Sequence, residues 1–149
     1  MQTKTINIYS IIKEIGLVIQ LHRFEITIEY LKNIKQKILK DPDFEPHYTF
    51  LIDIRDTYGT VSVEETTEYG KFVTQTMETG NQVRLALLTN NPEHVAKGSI
   101  FRWMTAKSNL EYGIFTTVEG GLNWLNVSNK DFTIAFNELE KLRSVTHKY

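Results

Sequence analysis

The chain contains no cysteine, so disulfide staples, thiolate metal sites and a cysteine nucleophile are all excluded. Proline is scarce, at 3 residues, and two of them, Pro42 and Pro46, share one short stretch. The rest of the chain is therefore free to form regular elements. No apolar run approaches the length of a bilayer span. Neither sign of charge is in excess: 17 basic against 18 acidic residues give −1. Nothing in that balance draws the molecule to nucleic acid or to an anionic membrane. Met1 to Ile19 shows no basic start followed by an apolar stretch and a small-residue cleavage site, so a cytoplasmic location is expected. What is present is 149 residues, 41% of them hydrophobic. That is one domain's worth of chain, able to bury a core without a staple.

The apolar residues are spaced as strands and helices in alternation. Ile6 to Ile12 is β-branched and partly alternating, Glu14–Ile15–Gly16 breaks it, and Leu17 to Leu21 follows; an antiparallel hairpin is the natural connection. Thr27 can cap a helix in which Ile28, Leu31, Ile34, Ile38 and Leu39 recur at helical spacing, and Asp41–Pro42 ends it. Tyr48 to Asp53 is a nearly continuous apolar run ending in an acid, the pattern of a central strand covered on both faces. The spacing predicts a loop over Ile54 to Val61. Ser62–Val63–Glu64–Glu65 is a capping box, opening a helix to about Thr79 with Tyr69, Phe72, Val73, Thr76 and Met77 inward. Val83 to Thr89 reads as another buried strand. Asn90–Asn91–Pro92–Glu93 starts a helix whose inner face is expected at Val95, Ala96, Ile100, Phe101 and Met104. Tyr112 to Phe115 is a last strand, Thr117 caps a helix with Leu122, Trp124 and Leu125, and Asn126 to Lys130 is a polar link. The final helix carries Phe132, Ala135, Phe136, Leu139 and Leu142 on one face.

This order predicts an α/β fold: a mixed, mostly parallel sheet opened by an N-terminal hairpin, with helices on both faces and an extra C-terminal helix. Residues 1–125 form the expected α/β domain, and residues 126–149 an amphipathic helical extension.

Five motifs carry a family resemblance: Asp41–Pro42–Asp43–Phe44, Phe50–Leu51–Ile52–Asp53–Ile54–Arg55, Ser62–Val63–Glu64–Glu65, Arg84–Leu85–Ala86–Leu87–Leu88, and Phe115 to Leu125. Their order over Ile8 to Leu125 resembles STAS domains, the anti-sigma-factor-antagonist fold, and more closely the STAS/Sec14-like bacterial proteins. The resemblance implies a non-enzymatic regulatory module that docks a protein partner and needs no cofactor. Its Sec14-like side implies an alternative, a carrier or sensor of a small apolar or lipid-like ligand. Anti-sigma-factor antagonists carry a phosphorylatable Ser or Thr in an Asp-Ser-Ser-Gly-like turn, and the stretch Ile54 to Ser62 contains no such turn.

The candidate recognition edge is the expected loop, with Asp53, Arg55, Asp56, Thr57, Thr60 and Ser62 between a strand's carboxyl end and a helix N-terminus. The local reading makes Ser62 a cap and Asp53–Arg55 a pair. Phe101, Trp103, Met104 and Tyr112 are the expected wall of an apolar pocket, or else core packing. The first helix carries Lys32, Lys35, Lys37 and Lys40 with Glu29 as the only nearby acid, and the second carries Glu64, Glu65, Glu68 and Glu78 with Lys71. That layout either orients a partner or is two solvated faces. Four lysines without interleaved aromatics are no nucleic-acid footprint. The apolar stripe of the last helix either covers its own sheet or pairs across a two-fold axis in a homodimer; the second is the expectation.

Asp41, Asp43, Glu45 and His47 alternate around two prolines and read as a turn, not a metal site. His22, His47, His94 and His147 show no metal spacing. G-x-S-x-G, G-x-G-x-x-G and P-loop motifs are missing, so no constellation favours an enzyme.

Overall fold

The apolar run that closes with Asp53 is the middle strand of a five-stranded sheet. The computed structural model describes residues 8–58 and 61–146, with side chains to Ser144. The elements are β1 (Tyr9–Ile12), β2 (Leu17–Glu25), α1 (Ile28–Leu39), β3 (Thr49–Tyr58), α2 (Val63–Thr76), β4 (Val83–Leu88), α3 (Pro92–Met104), β5 (Leu110–Phe115), α4 (Val118–Trp124) and α5 (Phe132–Thr146). A single 3₁₀ turn, Asn129–Asp131, precedes α5. Ile6 and Asn7, expected in the first strand, lie outside the described residues.

Strand order follows chain order, β1-β2-β3-β4-β5, with β1 antiparallel to β2 and the other neighbours parallel. Gly16, at φ 64°, makes the hairpin turn, where residues with a Cβ are disfavoured. Three parallel crossovers advancing in one direction place their helices on one face if each is right-handed. One core layer is accordingly built from Val18, Phe50, Ile52, Ile54 and Leu85 of the sheet with Ile34 and Ile38 of α1 and Tyr69 and Val73 of α2. On the opposite face Leu17, Ile19, Leu21, Leu51 and Leu88 pack against Leu122 of α4 and Ala135, Leu139 and Leu142 of α5.

The helices begin where cap chemistry places them. Thr27 accepts from the amide of Tyr30, Asn91 from Glu93 and Thr117 from Gly120. The Ser62–Glu65 box is reciprocal, with both bonds formed.

Several expectations are corrected. Residues 54–58 are strand, not loop. β2 runs on past a bulge between Leu21 and Arg23 to pair Arg23 with Asp56, Phe24 with Thr57 and Glu25 with Tyr58, and that pairing overrides the weak strand preference of Asp56. The inner face of α3 is His94, Gly98 and the half-buried Lys97 and Phe101, whereas Val95 is 38% exposed. The apolar stripe of α5 packs on this chain's own β1 and β2. Ser10 Oγ donates to Glu138 Oε2 at 2.7 Å, and Arg143 donates to Asp56 Oδ2 at 3.0 Å. Both bonds tie the helix to the sheet it covers.

Candidate functional site

The expected recognition residues separate into different environments. Asp53 is fully buried and points to the α5 side of the sheet, opposite Ile52 and Ile54. Its carboxylate accepts from the backbone N–H, Nε and Nη2 of Arg55 at 3.0, 3.0 and 2.9 Å. This bidentate pair fixes two side chains that alternation puts on one face, and the same hydrogen bonds raise the Arg55 pKa. Asp56 bridges Arg143 of α5 at 3.0 Å and Arg23 of β2 at 3.8 Å, so it anchors α5. The Thr57 hydroxyl donates to the carbonyl of Ile54. Ser62 is exposed and serves as the cap of α2. Thr60 lies outside the described residues.

The expected pocket wall also divides. Phe101 and Tyr112 stack with ring centroids 5.3 Å apart, and both line a cavity of about 100 Å³ between the sheet and α1–α3. Trp103 does not: it is 81% exposed, because two residues along a helix turn the side chain by about 200°. Met104 packs between α2 and α3, against Gly70.

The cavity lies toward the carboxyl ends of the parallel strands, where open α/β sheets hold their ligands. Ile52, Ile54 and Leu87 form its floor, and Leu31, Tyr69 and Phe101 its helical side. Gly98 lets α3 approach: a Cβ there would stand 2.9 Å from Ile114 Cδ1 and 3.1 Å from Leu87 Cδ2. Besides the tyrosine hydroxyls, Gln20, His22, His94 and Lys97 are its polar or charged lining residues, and no Asp or Glu is among them. His94 Nδ1 is 3.3 Å from Thr89 Oγ1, and Lys97 Nζ donates to the carbonyl of Val61 at 2.7 Å.

Behind the cavity runs a buried polar chain that the sequence did not suggest. Lys35, expected on a charged helix face, is fully buried, with Nζ 4.2 Å from the centre of the Phe50 ring. It donates to Gln20 Oε1 at 2.7 Å. Because an ammonium or amine N–H takes the oxygen, the Gln20 amide nitrogen donates to His22 Nε2 at 3.0 Å, which leaves the His22 proton on Nδ1 toward Tyr30, 3.3 Å away. Burial brings Lys35 down to about 7. Burial first, and then the nearby Lys35, brings His22 down to about 3, opposed by Asp53. Burial also raises the Tyr69 and Tyr112 hydroxyls. The opposed charges of α1 and α2 meet in the pair Lys32–Glu68 at 2.6 Å, and such a surface pair contributes little.

The signal for this site was the alternation Val18–Gln20–His22, which continues one face of a buried strand. Among the described residues, no group of three or more His, Asp or Glu is arranged to hold a metal ion, and no helix is long and apolar enough to cross a membrane. Asp41 accepts from Tyr9 and from the amide of Asp43, completing a turn.

No family model matches the chain, and no curated protein matches it. In structure it is similar to an uncharacterised protein of the DUF3478 family with a SpoIIAA-like fold from Shewanella loihica PV-4. The two share 16% identity over 73% of this chain and 83% of that chain, with a TM-score of 0.50. The order of elements, the mixed sheet and this likeness together establish the architecture: the chain has a SpoIIAA-like, that is STAS-like, fold.

Proposed function

We propose that the chain is a non-enzymatic regulatory module that docks a protein partner where β2 and β3 outrun the sheet. The pairing of β3 with β4 ends at Asp53–Leu88, while its pairing with β2 continues to Tyr58. A two-stranded ribbon therefore projects at the carboxyl end, with one edge of β3 uncovered by β4. Such an edge is a template for an added strand. The observation that carries the reading is exposed apolar area there: Tyr58 is 61% exposed, Val63 at the head of α2 56%, and Phe24 42%. Phe24 also holds φ 65°, a strained setting for a bulky residue and one that clusters at functional positions. The test is retention of a host protein by immobilised wild type, Tyr58→Asp and Trp103→Asp. A partner kept by the wild type and by Trp103→Asp but lost by Tyr58→Asp supports the ribbon. Equal retention by all three removes it.

The cavity favours a second reading, a small-ligand sensor. An apolar cavity of roughly 150 Å³ accepts benzene, and this one is about 100 Å³, so the reading is of a small molecule and not of a lipid.

A further inference from the structure

We infer that the cavity beneath α1–α3 is a binding site for a small monocarboxylate, its branched or cyclic apolar body against Ile52, Ile54 and Leu87 and its carboxylate toward Lys97. The inference rests on the small-ligand reading above and names the chemistry of the ligand. Size limits the body to about four carbons, since a cavity about half as large again holds a six-carbon ring.

Two phenols and an ammonium able to donate hydrogen bonds stand around the cavity, beside His94, whose Nδ1 lies 3.3 Å from Thr89 Oγ1. Tyr69 and Tyr112 both line it and are each only 7% exposed. Neither hydroxyl has a hydrogen-bond partner among the described residues. Each oxygen keeps accessible surface, so a bound molecule can reach it and take its hydrogen bond. Lys97 uses one N–H on the Val61 carbonyl and has no ion pair among the described residues. An ammonium carries three N–H groups, so two remain. Gln20 and His22 are engaged with each other and with Lys35 and Tyr30, so they add shape and not capacity. A lining with one cation, two unanswered hydroxyls and no carboxylate suits an anion, and the apolar floor requires that the anion bring an apolar body.

The test titrates the full chain with 3-methylbutanoate, its neutral counterpart 3-methylbutanamide, and dodecanoate, following heat and methyl NMR signals. The short acid is expected to saturate and to shift the methyl resonances of Ile52, Ile54 and Leu87. Lys97→Met should weaken the acid by about tenfold and leave the amide unchanged, while Lys97→Arg keeps the acid bound. Tyr69→Phe and Tyr112→Phe should each weaken the acid by roughly threefold. If the amide binds as tightly as the acid, or Lys97→Met binds the acid like the wild type, the carboxylate assignment is overturned and the small-ligand reading stands. If dodecanoate binds tighter, the size assignment is overturned. If neither short compound binds, both the inference and the reading beneath it fall.

Discussion

The side-chain nitrogen of Lys35 lies 2.7 Å from Gln20 Oε1, and both side chains are buried. No ion pair to Lys35 exists among the described residues, so burial goes uncompensated and its pKa falls to about 7. Between about 7 and the ordinary lysine value near ~10.4, the unfolded chain holds a proton that the folded chain has released. Stability must therefore rise with pH through that window, and below it the cost of the buried charge is carried in full. Lys35→Met, similar in volume, should flatten the rise in urea midpoint between pH 7 and 9.5. Equal slopes in the two proteins would remove Lys35 as the cause.

His22 works the opposite end of the scale. Its folded pKa of about 3 lies below the free value near ~6.5. From pH 6.5 downward the unfolded chain binds the proton first, so stability is lost as pH falls through that window, at up to about 1.4 kcal/mol per unit. In His22→Leu, unfolding followed by circular dichroism should show a shallower acid limb than wild type between pH 6 and 4. The variant will be less stable at pH 7, because Gln20 Nε2 loses its acceptor, but the slope decides the matter.

The parts of this molecule that the sequence revealed are those decided within a few residues. Thr27, Ser62 with Glu65, Asn91 and Thr117 cap their helices through bonds to amides two or three positions on, and such chemistry is local. The tail of β3 was hidden because Asp56, Thr57 and Tyr58 are held in strand geometry by pairing with residues 23–25 of β2, beyond a bulge. Lys35 sits between the buried Ile34 and Ile38, and only the packing of α1 on β2 and β3 decides that a lysine there is inside. The cavity draws on Gln20, His22, Tyr69, His94 and Tyr112, residues from four elements with no common motif. Phe101 and Tyr112 line the cavity and Trp103 does not, since Phe101 and Trp103 lie on nearly opposite sides of one helix.

Ser62 offers a separation of structure from regulation. Its hydroxyl accepts from the amide of Glu65 at 3.0 Å, and Ser62→Ala should cost about 1 kcal/mol in chemical denaturation. Ser62→Asp keeps an acceptor at the cap and adds charge at a helix N-terminus, so it should unfold close to wild type. If Ser62→Ala were fully as stable as wild type, the cap bond would contribute nothing measurable.

Asp53 anchors the buried side of the ribbon. Truncating one member of a buried ion pair leaves the other charge unanswered, and costs about 3 kcal/mol or more. Asp53→Ala should therefore lower stability by that order, and Asp53→Asn, which keeps an acceptor oxygen, by less. A near-neutral Asp53→Ala in urea titration would mean that solvent reaches Arg55, whose side chain retains 21% exposure, well enough to replace its partner.

Leu139 decides what the last helix covers. It is 1% exposed, and the same apolar layer holds Leu17, Ile19 and Leu21 of β2 and Leu142 of α5. If that layer closes within one chain, Leu139→Ala creates a cavity costing about 2–5 kcal/mol, and the loss is independent of protein concentration. If the stripe instead closed across a two-fold axis, the unfolding midpoint would rise with concentration, because association and folding would be linked. Thermal unfolding of wild type and Leu139→Ala over a hundredfold range of concentration separates the two. The geometry requires midpoints that stay fixed for each protein and differ between them. The bonds from Ser10 to Glu138 and from Arg143 to Asp56 hold the helix in the same place from two directions, so its docking does not depend on apolar contact alone.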